Sequence, residues 1–123
     1  DASFLKVVRN TSASNVGILK FHRCMSAKFG TPNDEVNDGH PLYGAGFVGY
    51  RALRVVNSPW IVELRSINSV HRCFEPKFWD GLTHYIFGFH DSTFECVAQS
   101  FSASTTTADL PDAIAEVCGR VLE

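Results

Sequence analysis

The sequence is short of net charge, of special-purpose glycine motifs and of long apolar runs, and each shortage removes a class of function. Eleven Lys and Arg stand against thirteen Asp and Glu, a net charge of −2, so the basic footprint of a nucleic-acid binder is missing. No apolar run approaches the roughly 18 residues that a membrane helix needs, and no signal-peptide pattern opens the chain. The chain begins at Asp1 without Met, which leaves open a leader already removed; the expected location is otherwise cytoplasmic. There is no G-x-S-x-G nucleophile elbow and no P-loop, the short signatures of acyl-transfer and nucleoside-triphosphate chemistry. The four Cys, at 24, 73, 96 and 118, include no C-x-x-C pair of a zinc or redox site. Their even number permits two disulfides, but Cys96 and Cys118 sit in apolar patterns where a free thiol behaves as a small hydrophobe, and buried thiols are the expectation. Neither a metal nor a cofactor is expected, since the ligand spacing matches no metal motif.

What is present is a chain of 123 residues, read as a single domain over 1–123, with ten Phe that suggest a core or pocket built on rings. "SFLKVV", 3–8, is a short β-rich run, and "NTSASN", 10–15, is turn chemistry. "VGILKFHRCMSAKFG", 16–30, fits a helix face through Ile18, Phe21 and Met25, or a strand through Leu19, Phe21 and Arg23; a strand over 17–28 is favoured. Residues 31–46, "TPNDEVNDGHPLYGAG", form a long polar loop, and long loops in compact domains are often functional. "YRALRVVN", 50–57, reads as a strand with Ala52, Val55 and Val56 apolar. A helix then begins with Ser58 as N-cap and Pro59 at its first position, and carries Trp60, Leu64, Ile67 and His71 at helical spacing. "FEPKFWDG", 74–81, is a loop with at most a helical turn, and a terminal helix bears Ile114, Val117, Val121 and Leu122 as its apolar stripe. The order β-β-β-α-β-β-α predicts an α+β fold, an antiparallel sheet of about five strands with two helices on one face.

The stretch "HYIFGFHDSTFECVAQSF", 84–101, carries the most information. With Asp91-Ser92 as a two-residue turn, His90 faces Thr93, Gly88 faces Glu95, Ile86 faces Val97 and His84 faces Gln99; a three-residue loop would shift the pairing by one but keep most of the division into faces. Strand alternation puts Tyr85, Phe87, Phe89, Phe94, Cys96 and Ala98 on one face, which should lie on the helices. His84, His90, Thr93, Glu95 and Gln99 fall on the other, with Gly88 leaving a gap beside Glu95. A polar sheet face is ordinarily just solvated. It becomes a working surface if the 31–46 loop folds back over it, through Tyr43 and Phe47 as apolar anchors, and brings His40, Asp34 and Asn33 to His90 or Glu95. A His and a carboxylate in one cleft can do acid–base work. The candidate catalytic residues are therefore His90, Glu95, His40 and Asp34, and the candidate ligand-binding residues His84, Asn33, Tyr43 and Trp60.

The strings "KFGTPNDEVNDGHPLYGAG", "VVNSPWIVELRSIN" and "HYIFGFHDSTFECVA" together resemble those of a family of small uncharacterised bacterial proteins, with similar F-G-x-P-N-D-E, G-H-P-L-Y, N-S-x-W and F-H-D-S-T-F-E-C motifs. The resemblance covers about residues 19–99 and departs after Val70, at "HRCFEPKFWDG". It favours the strand reading of 17–28 and carries over no activity and no catalytic residues. Two functional classes follow from the residues: a small-molecule-binding domain with an aromatic-rich pocket beside the loop, or a small hydrolase or isomerase-type enzyme using a His/carboxylate pair. A structural or partner-binding subunit is the third. The expected partner is a small molecule, with a homodimer as a further option and neither nucleic acid nor membrane.

Overall fold

The computed structural model describes residues 3–9 and 16–122, with side chains from 16 to 120. It is an α+β fold with two antiparallel sheets where one had been expected. The chain separates into two compact units, one built from the residues up to Cys24 and from Ser100 onward, the other from Met25 to Gln99. The turn expected at 10–15 lies outside the described residues.

The first unit is a three-stranded sheet in the order β1 (Ser3–Arg9), β2 (Val16–His22), β7 (Ser100–Thr106), with helix α3 (Leu110–Leu122) packed on β1. Phe21 pairs directly with Phe101, and their ring centroids lie 5.8 Å apart. The side chain of Asp109 accepts the Asp112 N–H, which satisfies one of the donors that every helix start leaves open. Ala113 and Val117, four apart, are the buried positions of α3. Ile114, expected in that stripe, is 46% exposed, and the side chains of Val121 and Leu122 lie outside the described set.

The single strand expected over 17–28 is two, β2 and β3 (Ser26–Gly30). The break falls at Arg23, whose φ of 50° is a left-handed turn that no extended strand accommodates. β3 belongs to the second unit, a sheet in the order β3, β6 (Thr93–Ala98), β5 (Thr83–Gly88), β4 (Ala52–Val55). In β4 the inward residues are Leu53 and Val55, while Val56 is 82% exposed. Helix α1 (Pro59–Asn68) starts as its sequence demands: Ser58 Oγ accepts the Ile61 N–H, and Pro59 occupies a position whose missing donor costs nothing. It ends at Asn68, so Ile67 (59% exposed) and His71 fall off the buried stripe. The helical turn allowed for in the 74–81 loop is a short helix, α2 (Pro76–Asp80), capped by Glu75.

The hairpin pairs Gly88 with Thr93, Ile86 with Glu95 and His84 with Val97, so its turn centres on His90-Asp91, one residue before the expected place. Opposed residues share a face, so the division into two faces survives this shift. The covering does not follow expectation. Trp60, Trp79, Leu82 and Val97 make the buried cluster, with Ile61, Leu64, Phe74 and Phe78 around it, so α1 and α2 lie on the Val97 and His84 face. Ile86 and Val97 share strand parity with His84 and Glu95, and their burial makes that face half core, half polar floor. Tyr85, Phe87, Phe94, Cys96 and Ala98 on the opposite face are buried as well. No helix of the described residues is long and apolar enough to cross a membrane. Cys96 is buried, whereas Cys73 and Cys118 are exposed, against the apolar reading of Cys118.

Candidate functional site

The site begins with one carboxylate. Glu95 projects from an interior strand of the second sheet and is 8% exposed. A carboxylate so placed needs donors on both oxygens. His84, on the neighbouring strand, supplies one through Nε2 at 2.8 Å from Oε1, and His40 supplies the other through Nε2 at 3.0 Å from Oε2. Burial pushes the Glu95 carboxyl upward; the hydrogen bonds from His84 and His40, with the attraction of any positive charge on those rings, outweigh it and hold the group below the ordinary glutamate value.

His40 comes from the long loop. After β3 the chain makes two 3₁₀ turns, Asp34–Gly39 and Tyr43–Ala45, and His40 lies between them. The Leu42 N–H donates to its Nδ1 at 3.0 Å, and Phe47, buried, stacks on the ring at a centroid distance of 4.4 Å. Because Nδ1 accepts, the hydrogen-bond pattern assigns the ring proton to Nε2, where it is donated to Glu95. The loop is tied down at its start as well. Thr93 Oγ1 donates to the Pro32 carbonyl at 2.8 Å, and the Asp34 N–H to the His90 carbonyl at 3.0 Å. At the loop's far end the Gly88 N–H donates to the Arg51 carbonyl, and a Cβ at Gly88 would stand 3.1 Å from Gly49 Cα. The gap expected at Gly88 is thus filled by the loop's own backbone.

His84 is held from behind. Its Nδ1 lies 2.7 Å from Ser58 Oγ, and the Trp60 ring meets it edge-on at 5.1 Å. Ser58 Oγ also accepts the Ile61 N–H, and the ionised Glu95 carboxylate, which can only accept, places a proton on His84 Nε2. One serine therefore caps α1 and bonds to a site histidine. This second role was not read from the sequence, although N-S-P-W placed the cap.

Above these groups opens a cavity of about 580 Å³. Its lining includes His40, His84, Glu95, Trp60, Lys28 and Glu63, among apolar walls from Pro32, Val36, Leu42 and Pro59. Lys28 is paired directly with Glu95 across β3 and β6, and its Nζ lies over the Trp60 ring, 4.0 Å from the centroid.

Of the expected residues, Glu95, His40, His84 and Trp60 thus meet at the cavity. The others do not. His90 sits at the exposed hairpin tip, its Nδ1 2.7 Å from Asp91 and its Nε2 3.8 Å from Asp34, so it faces away from Glu95. The hydrogen bond with Asp91, then the charges of Asp34 and Asp91, raise it above the ordinary histidine value. Asp34 accepts from the Tyr50 hydroxyl and belongs to this outer cluster. Asn33 Oδ1 accepts the Glu35 N–H and caps the first 3₁₀ turn, and Tyr43 is 52% exposed; neither lines the cavity. Among the described residues no group of three or more His, Cys, Asp or Glu is arranged to hold a metal ion. No family model, no curated protein and no solved structure matches the chain.

Proposed function

We propose that this chain is a small-molecule-binding domain, with the cavity over Glu95 as its site. The observation that carries the reading is the floor of that cavity, a buried carboxylate whose two oxygens are held by His40 and His84 beneath a mostly apolar wall. A cavity of about 580 Å³ is within the range that encloses a small organic ligand, and such sites pair apolar walls with a few convergent polar groups. Each carboxylate oxygen can accept two hydrogen bonds, so one acceptor site on each stays available to a ligand donor.

The acid–base alternative has less support. All four ring nitrogens of His40 and His84 are already in bonds within the protein, and a carboxylate held below its ordinary value is a weaker base near neutral pH. The Ser58, His84, Glu95 series has the connectivity of a nucleophile relay. Ser58 is 4% exposed, however, caps α1 and does not line the cavity.

A ligand-observed NMR screen of small amines, alcohols and carboxylic acids on compact apolar bodies tests the reading. Val36, half exposed on the cavity rim, provides the control, because Val36→Trp fills the cavity from outside the core. Fragments should bind the native protein, weaken in Glu95→Gln and be lost in Val36→Trp. Binding that ignores both substitutions, or no binding at millimolar concentration, overturns it.

A further inference from the structure

We infer that the cavity takes an organic cation, a primary ammonium on a small apolar body, which replaces the Lys28 ammonium on the face of Trp60. The inference rests on the reading of the cavity as a binding site and names its ligand class. Three charged side chains line the cavity with assigned signs: Lys28 positive, Glu63 and Glu95 negative. His40 adds no positive charge, because its Nδ1 accepts the Leu42 N–H. With the Lys28 ammonium turned out to solvent, the carboxylates of Glu63 and Glu95 remain, and an anionic ligand would enter against them.

The Trp60 face already holds a cation. Lys28 Nζ lies 4.0 Å from the ring centroid, in the arrangement by which a ring quadrupole attracts positive charge. Lys28 is itself exposed and ends a flexible stem, so its ammonium can leave for solvent. A ligand ammonium in its place would keep the contact with Trp60. The Glu95 carboxylate, which lines the same cavity and has no ion pair with Lys28, would attract that added positive charge. Lys28 then acts as a resident competitor that holds the site when no ligand is bound.

Benzylammonium, benzyl alcohol and benzoate share one ring body and carry positive, zero and negative charge. Each is titrated by ligand-observed NMR into the native protein, Lys28→Met and Val36→Trp at neutral pH. Benzylammonium should bind most tightly, benzyl alcohol about tenfold or more weakly and benzoate not at all. Lys28→Met should bind benzylammonium about two- to fivefold more tightly, the size of an exposed cation–π contact no longer competing. Val36→Trp should abolish the binding. Equal binding of the alcohol, a preference for benzoate that Lys28→Met removes, or weaker benzylammonium binding in Lys28→Met overturns the cation assignment and leaves the binding site standing. Failure of all three probes while other fragments respond to Val36→Trp also overturns only the cation assignment. Failure of every fragment overturns both.

Discussion

Glu95→Gln is the substitution whose consequence can be worked furthest. Gln keeps the shape and one carbonyl oxygen but turns the other acceptor into a donor. One of the two histidine protons must then face an NH2 group. His40 cannot yield, because its Nδ1 is occupied by the Leu42 N–H. His84 can, by moving its proton to Nδ1 and donating to Ser58 Oγ, which leaves the Ser58 proton without its acceptor. The amide oxygen should therefore face His40 and the amide nitrogen His84. Two bonds to a charged acceptor become neutral, at about 1 kcal/mol each, and one buried hydroxyl proton is orphaned at a further ~1 kcal/mol; relief from burying a charge offsets part, so the net loss is about 1–3 kcal/mol. With a urea slope of about 2 kcal/mol/M, the unfolding midpoint falls by roughly 1 M. Tryptophan fluorescence reports the transition, since Trp60 and Trp79 both lie in the second unit. The pH dependence fixes the cause. Glu95 is lowered in the folded state, so its contribution is fully present above the unfolded value near 4.5 and is lost as pH falls through the lower folded value. The gap between native protein and variant should be full at pH 7 and shrink below about pH 4.5. A variant as stable as the native protein at pH 7, or a gap unchanged down to pH 3, would refute the carboxylate's place between two donors.

Ser58→Ala should cost about 1–2 kcal/mol in urea unfolding, more than the ~1 kcal/mol of a lost cap alone, because the donor to His84 goes with it; a loss under 0.5 kcal/mol would argue against both roles. Gly88→Ala should destabilise by about 1–3 kcal/mol and speed amide exchange across 49–51, since the added Cβ meets backbone that cannot yield like a side chain; unchanged exchange there contradicts the close approach. Gly119→Ala meets no atom within 4 Å and should stabilise α3 by up to ~1 kcal/mol, read as a raised thermal midpoint. In an NMR titration His90 should titrate above the ordinary 6.5, and Asp91→Asn should bring it down; an unmoved His90 would remove Asp91 as the first cause.

Much of the second unit was legible in the sequence because the signals there are local. Ser58-Pro59 announced a helix start, and alternation from His84 to Ala98 divided the hairpin into its faces whatever the turn. From the loop, His40 reaches Glu95 with Phe47 stacked on its ring, whereas Tyr43, expected as a second anchor, is exposed. What failed has physical reasons. The hairpin turn sits one residue earlier than Asp91-Ser92, which moves His90 from the polar face to the tip. Helix placement was misjudged because Ile86 and Val97, paired on the His84 face, were given no weight when that face was read as polar. Arg23 gives no sign in sequence of its left-handed backbone, so β2 and β3 read as one strand. β7, "SFSASTT", is largely small and exposed, and offers little of the apolar alternation that marks a strand. The role of Ser58 against His84 lies 26 residues away in the chain, beyond any spacing rule.

The central claim is that a ligand sits on Glu95 between two histidines whose protons both point inward. A long-range ¹H–¹⁵N spectrum of the histidine side chains at neutral pH, recorded without and with a bound fragment, tests it most directly. The account predicts Nε2–H tautomers for both His40 and His84, with shifts of both rings moving on binding while those of exposed His71 stay fixed. An Nε2 without its proton in either site ring, or binding that moves neither, would contradict it.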